Sequence, residues 1–298
     1  MDLGVGATIY GGDTRGESES TFARTGMAFI RVKGTMTMNK ESSVTMRGNG
    51  FGRGMRSDNG YCRRGWTGEG PTVRYRGNDN PIRSSLNTGP IVVLRGGGGH
   101  GGDLNGSWCA GVGSSHAPMG GGGGSHLTRG ARGANARDNS GSYGYGDARM
   151  RTIFLGSGGG GASSYRHVSG SGYGGYGGDG GGSIMLFAST LKMHPDSRLD
   201  VSGVGGASRS THGGSGGGGA GGALFVQCGS ECVLAQGNIL ASGGQPGQYF
   251  YAGARGGAGS KGRVRVAKAG ERKVCINTVS SDWSCTDYGS KAAYCGAM

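Results

Sequence analysis

Arginine and aromatic residues are concentrated in one stretch of the first half of the chain, CRRGWTGEGPTVRYRG. A guanidinium group pairs with a sulfate, phosphate or carboxylate through parallel hydrogen bonds, and a neighbouring aromatic face can stack on a sugar ring. The formal net charge of +13 favours an anionic partner for such a surface. We therefore predict an anion- or glycan-contact site formed by Arg63, Arg64, Trp66, Arg74, Tyr75 and Arg76.

Tyrosines punctuate the glycine-rich stretches, where they either contribute to sugar contact or cap the ends of packed glycine segments. These loop aromatics are Tyr143, Tyr145, Tyr173, Tyr176, Tyr249 and Tyr251.

Two other interpretations of the arginines remain open. Arginines alternate with apolar residues in RVRVA, which is typical of a solvated strand face. RGG-like strings are typical of proteins that bind nucleic acid through arginine and aromatic stacking. Because these strings are irregular here, we favour an anionic glycan or another surface polymer as the partner over nucleic acid.

Patterns that would indicate catalysis or metal binding are sparse. The chain has 18 acidic residues, and none forms a DxD, ExD or EF-hand arrangement. The six histidines lie mostly in glycine-rich loops, which predicts exposed side chains rather than metal ligands. We expect a protein without enzymatic activity, metal or cofactor.

Seven cysteines are present, and no pair combines CxxC spacing with histidines at zinc-finger distances. In a chain with so few apolar residues, they are better explained as disulfides formed in an oxidising compartment. We predict a Cys228–Cys232 bond and a second bond between two of the three C-terminal cysteines, with the seventh free or intermolecular. The full set is Cys62, Cys109, Cys228, Cys232, Cys275, Cys285 and Cys295.

The remaining signals on location point to a cell or virion surface. Asn105 begins an Asn-Gly-Ser sequon, which accepts a glycan in a secretory protein. The N-terminal residues MDLGVGATIYGGDTRG lack the charged and apolar regions of a signal peptide. No apolar stretch approaches the ~20 residues that cross a bilayer. We expect an extracellular, cell-surface or virion-surface protein without membrane insertion.

Strands must position these residues, because the same β-rich order occurs three times. Residues 27–50, 183–205 and 223–244 each contain two β-rich runs, a polar turn and a third short run. Residues 262–280 resemble a fourth, degenerate copy that closes the array. Units too small to bury an apolar face alone stack on one another, which predicts a solenoid of parallel strands. A β-sandwich is the alternative.

Glycine accounts for 74 of the 298 residues, far above the usual ~7%. Disorder is one interpretation, but the cysteines are numerous and the apolar runs recur in a pattern. Polyglycine II is an extended left-handed helix whose backbone groups point sideways, so helices without Cβ atoms can hydrogen-bond to one another. The predicted fold is all-β: parallel, solenoid-like stacked strands combined with packed polyglycine-II helices and essentially no α-helix.

Several glycine-rich blocks follow one another in a characteristic order: GGGGHGGDLNGSWCAGVG, YGYGDARMRTIFLGSGGGGA, GGDGGGSIMLFASTLKMHPDSRLDVSGVGG and GGGGAGGALFVQCGSECVLAQGNILASGGQPG. This series, over about residues 27–266, resembles a glycine-rich repeat region of large extracellular and cell-surface proteins of bacteria and protists. More loosely, it is similar to the glycine-rich adhesin at the tip of some bacteriophage tail fibres. The resemblance implies a role in surfaces, fibres or attachment.

These observations divide the chain into a lead-in at 1–26, a glycine-rich strand-repeat domain at 27–266 and a cysteine-containing cap at 267–298. We expect a non-enzymatic surface component whose rigid scaffold presents basic and aromatic loops to an anionic glycan or a partner subunit. The alternatives are a self-assembling fibre subunit without ligand binding and an RGG-type nucleic-acid-binding protein.

Overall fold

The structure is a computed structural model, and no α-helix occurs in the residues that it describes. These are residues 1–11, 26–57, 65–70, 119–134, 144–146, 150, 152–163, 166–167, 170–171, 173–208, 213–235, 238–248, 255–269, 273–279 and 282–287. The strands defined there are β1 (Asp2–Leu3), β2 (Thr8–Tyr10), β3 (Met27–Met38), β4 (Ser43–Thr45), β5 (Arg166–His167), β6 (Gly170–Ser171), β7 (Ser183–Met193), β8 (Arg198–Asp200), β9 (Ala223–Val233), β10 (Ile239–Leu240), β11 (Arg263–Lys268), β12 (Lys273–Val279) and β13 (Asp282–Asp287).

Two sheets contain nearly all of these strands. The larger sheet has seven strands in the order β1-β3-β7-β9-β11-β12-β13, and the smaller has four in the order β10-β8-β4-β2. Strands β5 and β6 form a separate antiparallel pair. All neighbours in the four-stranded sheet are parallel, as are those from β1 to β11 in the larger one.

Each sequence repeat contributes one long strand to the larger sheet and one short strand to the smaller sheet. The pairs are β3 with β4, β7 with β8 and β9 with β10. Equivalent positions of the repeats face each other, since Met27 pairs with Ser183 and Ser183 pairs with Ala223. The predicted parallel pairing of the repeats is therefore confirmed.

The two ends of the larger sheet differ from the sequence expectation. β1 and β2 pair with β3 and β4 as a short further copy, within the region interpreted only as a lead-in. At the other end β11 continues the parallel order, but β12 and β13 run antiparallel to their neighbours. The closing copy thus ends in a hairpin, because the short connection between β11 and β12 leaves no room for a crossover.

The hydrophobic core contains residues from both sheets. Met36 on β3, Leu191 on β7 and Leu199 on β8 are fully enclosed. Alternation along β7 directs Ile184 and Leu186 into this core, as period-two patterning requires. Burying a side chain of this size stabilises the fold by about 1.5–3 kcal/mol. Among the described residues, the strand repeats therefore contribute most of the buried apolar side chains.

A disulfide joins Cys228 to Cys232 on β9, with a Cα–Cα distance of 5.7 Å, which confirms the predicted pair. The register between β7 and β9 shifts between Ala188 and Thr190. Because β9 has one residue more than β7 over this interval, the bond closes a local bulge.

Glycine-rich segments precede β7, β9 and β11, and they hydrogen-bond to one another side by side. The segments 173–182 and 213–222 run parallel, and Gly175 and Gly178 donate to the carbonyl oxygens of Gly214 and Gly217 at 2.8 Å. The same contact recurs three residues later, from Gly181 to Ala220. Backbone groups that would be unpaired inside a protein are thereby satisfied without side chains.

A three-residue period also governs which residues must be glycine. In segment 173–182, a Cβ atom at Gly174, Gly177 or Gly180 would overlap the backbone of segment 156–162. The next row, one residue further on, would overlap the backbone of segment 201–207. The third row consists of Tyr173, Tyr176, Asp179 and Gly182. Side chains are therefore confined to one row of this segment, which aligns them along one side.

Candidate anion-contact surface

Two arginines and two tyrosines form a stacked group where segment 51–57 lies beside segment 173–182. The Cζ atom of Arg53 is 5.0 Å from the ring centroid of Tyr176. The Cζ atom of Arg56 is 4.5 Å from the Tyr173 ring centroid and 4.9 Å from that of Tyr176. We call Arg53, Arg56, Tyr173 and Tyr176 the arginine–tyrosine surface.

Equal spacing on the two segments produces this alignment. Arg53 and Arg56 are three residues apart, as are Tyr173 and Tyr176, so each segment presents both of its side chains on one side. The carbonyl of Gly54 holds the two segments together by accepting from the N–H of Gly177 at 2.9 Å. The N–H of Gly54 donates to the carbonyl of Gly159, on the neighbouring segment 156–162, at 2.8 Å.

Asp179, in the same row as the tyrosines, anchors the first arginine by its backbone. The N–H of Arg53 donates to Oδ1 of Asp179 at 2.9 Å, and Asp179 is only 4% exposed. A charge-assisted bond to a buried carboxylate is stronger than a neutral one. This bond fixes the main chain of Arg53 while the guanidinium extends over Tyr176.

The surface is accessible and carries fixed positive charge. Arg53 is exposed, Arg56 and Tyr176 are half-buried, and Tyr173 is 37% exposed. A cation over an aromatic ring gains about 0.5–1 kcal/mol at an exposed site. Because this stacking restricts the guanidinium groups before any ligand arrives, less side-chain entropy is lost on binding.

Three residues predicted from the sequence lie at or next to this surface. Tyr173 and Tyr176 belong to it. Trp66 lies on segment 65–70, which runs beside segment 51–57, since the Trp66 N–H donates to the carbonyl of Met55 at 3.0 Å. Glu69 extends the same pairing by donating its N–H to Gly52 at 2.8 Å.

Sequence reasoning missed Arg53 and Arg56 as site residues. The signal that could have found them is the string FGRGMR, in which the arginine spacing equals the tyrosine spacing of YGGY. The other predicted contact residues lie outside the described residues, as do three cysteines and the sequon. These are Arg63, Arg64, Arg74, Tyr75, Arg76, Tyr143, Tyr249, Tyr251, Cys62, Cys109, Cys295 and Asn105.

Tyr145 contacts the interior instead of joining this surface. Its hydroxyl donates to the carbonyl of Leu155, and its ring centroid lies 5.2 Å from that of His126 and 5.8 Å from that of Phe154. Burial raises the pKa of Tyr145 above its ordinary value, so the phenol stays protonated. Its role is therefore packing and hydrogen bonding beneath the glycine segments.

His126 is buried in the same region, with only 1% of its surface exposed, so the prediction of an exposed histidine is wrong at this position. The ring Nδ1 lies 2.8 Å from the carbonyl oxygen of Gly221, and the backbone N–H of His126 donates to Oγ of Ser260 at 2.7 Å. Burial, with a smaller contribution from the charge of Arg263, lowers the pKa of His126 to about 4. The imidazole is neutral at neutral pH and donates from Nδ1.

Within the described residues, no group of three or more histidine, cysteine, aspartate or glutamate side chains is placed to hold a metal ion. No helix in this part of the chain is long and apolar enough to cross a membrane.

No family model, curated protein or solved structure matches the chain.

Proposed function

We propose that this protein is a non-enzymatic structural or adhesive component of an extracellular, cell or virion surface, and that it contacts an anionic glycan through the arginine–tyrosine surface. The observation that carries the proposal is the stacking of Arg53 and Arg56 on Tyr173 and Tyr176. This stacking presents two oriented guanidinium groups beside accessible aromatic faces.

The proposal includes a rigid scaffold in which the glycine segments are polyglycine-II helices and the strand repeats form a solenoid. Support for the helices comes from the three-residue period in both the hydrogen bonds and the forbidden Cβ positions. That period equals the number of residues per turn of this helix type. Support for the solenoid comes from the parallel alternation of long and short strands between two sheets.

The chemistry of the surface suits sulfated or carboxylated sugars. Planar guanidinium groups match the oxygen geometry of sulfates and carboxylates, while tyrosine faces offer apolar contact to a pyranose ring. The formal net charge of +13 raises the local concentration of any polyanion. A neutral sugar would lack the first of these interactions and would bind more weakly.

The test is a double substitution, Arg53→Gln with Arg56→Gln, measured by calorimetric titration with heparin, with hyaluronan and with neutral dextran. Two exposed ion pairs are worth about 1–2 kcal/mol together, so the dissociation constant for heparin should rise roughly five- to thirtyfold. Affinity of the wild type should also fall steeply with salt as the screening length shortens below ~10 Å.

The matched control is Arg129→Gln with Arg132→Gln. These two arginines are exposed and have the same three-residue spacing, so the control removes equal charge from another segment. If both double variants lose the same affinity, binding depends on net charge alone and the assignment of the surface is wrong. Tighter binding to single-stranded oligonucleotides than to heparin of similar charge density would favour the nucleic-acid alternative.

A self-assembling fibre subunit is the second candidate, favoured by exposed apolar residues on β3. Phe29 is 61% exposed and Met27 is 46% exposed, and both lie on the face of β3 opposite Ile30. Under this alternative, Phe29→Ser should abolish oligomers seen by sedimentation velocity in high salt, and heparin should not compete with assembly. Monomeric wild-type protein at all concentrations tested would exclude it.

A further inference from the structure

We infer that Cys275 and Cys285 form a disulfide bond across the hairpin made by β12 and β13. The two residues are directly opposite each other in the antiparallel register. The flanking pairs, Val274 with Thr286 and Ile276 with Ser284, show that this register is continuous around them. The inference does not depend on the anion-contact proposal.

Backbone geometry at such a position suits the bond. Directly opposed residues of antiparallel strands have Cα atoms about 4.5–5.5 Å apart, and disulfides span Cα distances of about 4.4–6.8 Å. Opposed residues also occupy the same face of the sheet, since side chains alternate with period two along each strand. No backbone movement is needed to bring the two cysteine positions within bonding range.

The register across the whole sheet places both cysteines in a row that begins in the core. Leu186 and Val226, inside this row, are fully buried. The row runs through six strands in the order Ile30, Leu186, Val226, Val266, Cys275 and Cys285. The two cysteines thus occupy the last two register positions of a row whose inner members are apolar.

The location also explains what the bond would do for the fold. β12 and β13 are the last two strands of the larger sheet, and an antiparallel hairpin of two strands is marginal without further support. Closing the short loop between Cys275 and Cys285 limits the open conformations of this hairpin. The bond would therefore hold β13 in register against β12.

Formation of the bond is a two-electron oxidation. The two thiols lose two protons and two electrons as the sulfur–sulfur bond forms, and a disulfide oxidant such as oxidised glutathione is reduced to two thiols. The reaction proceeds by thiol–disulfide exchange through a mixed disulfide. An oxidising compartment or a glutathione redox buffer supplies this oxidant.

The test is peptide mapping of the full-length protein after equilibration in a buffer of reduced and oxidised glutathione, followed by alkylation without reduction. Trypsin releases residues 274–291 as one peptide, which contains both cysteines, and residues 292–298 as another, which contains Cys295. We expect peptide 274–291 to be two hydrogen atoms lighter than its reduced form and unalkylated. Cleavage before Asp282 should then yield two fragments that separate only after reduction.

Variants keep the inference testable if the mapping is incomplete. Cys275→Ser should expose Cys285 to alkylation and lower the melting temperature by roughly 5–10 °C, while Cys295→Ser should leave peptide 274–291 oxidised. Alkylation of both cysteines in the wild type, or linkage of either to the peptide that contains Cys295, would overturn the inference. A melting temperature for Cys275→Ser equal to that of the wild type would also contradict it.

Discussion

Replacing Gly180 with alanine tests whether the glycine segments are close-packed. An ideal Cβ atom at this position would lie 2.5 Å from the carbonyl carbon of Gly156 and 3.0 Å from that of Ser157. Ordinary van der Waals contact begins at 3.4 Å. One of the two segments must therefore move by about 1 Å to admit a methyl group.

That movement would disturb the hydrogen bonds on both sides of Gly180. Its N–H donates to Phe51 at 3.0 Å, and its carbonyl accepts from Gly50 at 2.7 Å. Gly181 accepts from Gly156 at 2.8 Å. Losing three such bonds costs about 0.5–1.5 kcal/mol each, and overpacking adds about 1–3 kcal/mol. Reduced entropy of the unfolded chain offsets about 0.4–1 kcal/mol, which leaves about 4 kcal/mol of destabilisation.

The assay is thermal unfolding followed by far-ultraviolet circular dichroism, with Gly34→Ala as the matched control. Gly34 is in the exposed part of β3, and a Cβ atom there would meet nothing within 4 Å. For a chain of this size, 4 kcal/mol corresponds to a melting temperature lower by roughly 8–16 °C. Gly34→Ala should leave the melting temperature unchanged or raise it slightly.

A second variant, Gly218→Val, extends the test to the segment enclosed by other glycine segments. Its Cβ atom would lie 2.5 Å from the carbonyl carbon of Gly244, and valine adds two further methyl groups. We expect a larger loss than for Gly180→Ala. If Gly180→Ala and Gly218→Val both melted with the Gly34→Ala control, the segments would be solvated loops and the argument from packing would be refuted.

The remaining predictions concern His126 and the Cys228–Cys232 bond. The pKa of His126 is about 4 in the folded state, whereas an ordinary solvated histidine, as in the unfolded chain, has a pKa of 6.5. Between pH 4 and pH 6.5 the unfolded state therefore binds more protons than the folded state. Stability should therefore be complete above pH 6.5 and fall by about 3 kcal/mol as the pH drops to 4. His126→Asn retains a donor towards Gly221 and should flatten this part of the pH profile in urea unfolding; an unchanged slope would exclude His126 as its cause. The double variant Cys228→Ser with Cys232→Ser removes a short closed loop, which should cost about 2 kcal/mol. Differential scanning calorimetry should then show a melting temperature lower by roughly 4–8 °C. No decrease would show that the bulge is stable without the bond.

Local patterns in the sequence were sufficient to predict the strand repeats. Period-two alternation and β-branched residues depend only on neighbouring positions, so residues 27–50, 183–205 and 223–244 could be aligned before their pairing was known. The close spacing of Cys228 and Cys232 similarly limits the distance between them and made their bond predictable. The parallel pairing followed because short units must stack to bury an apolar face.

The tertiary structure alone decided which side chains meet. Arg53 and Asp179 are separated by 126 residues along the chain, and their contact depends on the register between glycine segments. Glycine has no side chain to specify that register, so a sequence of glycines is compatible with many alignments until backbone hydrogen bonds and strand pairing select one. The same reason explains why the burial of His126 was missed. The opposition of Cys275 and Cys285 depends instead on the register of β12 with β13, which the spacing of the cysteines along the chain does not specify.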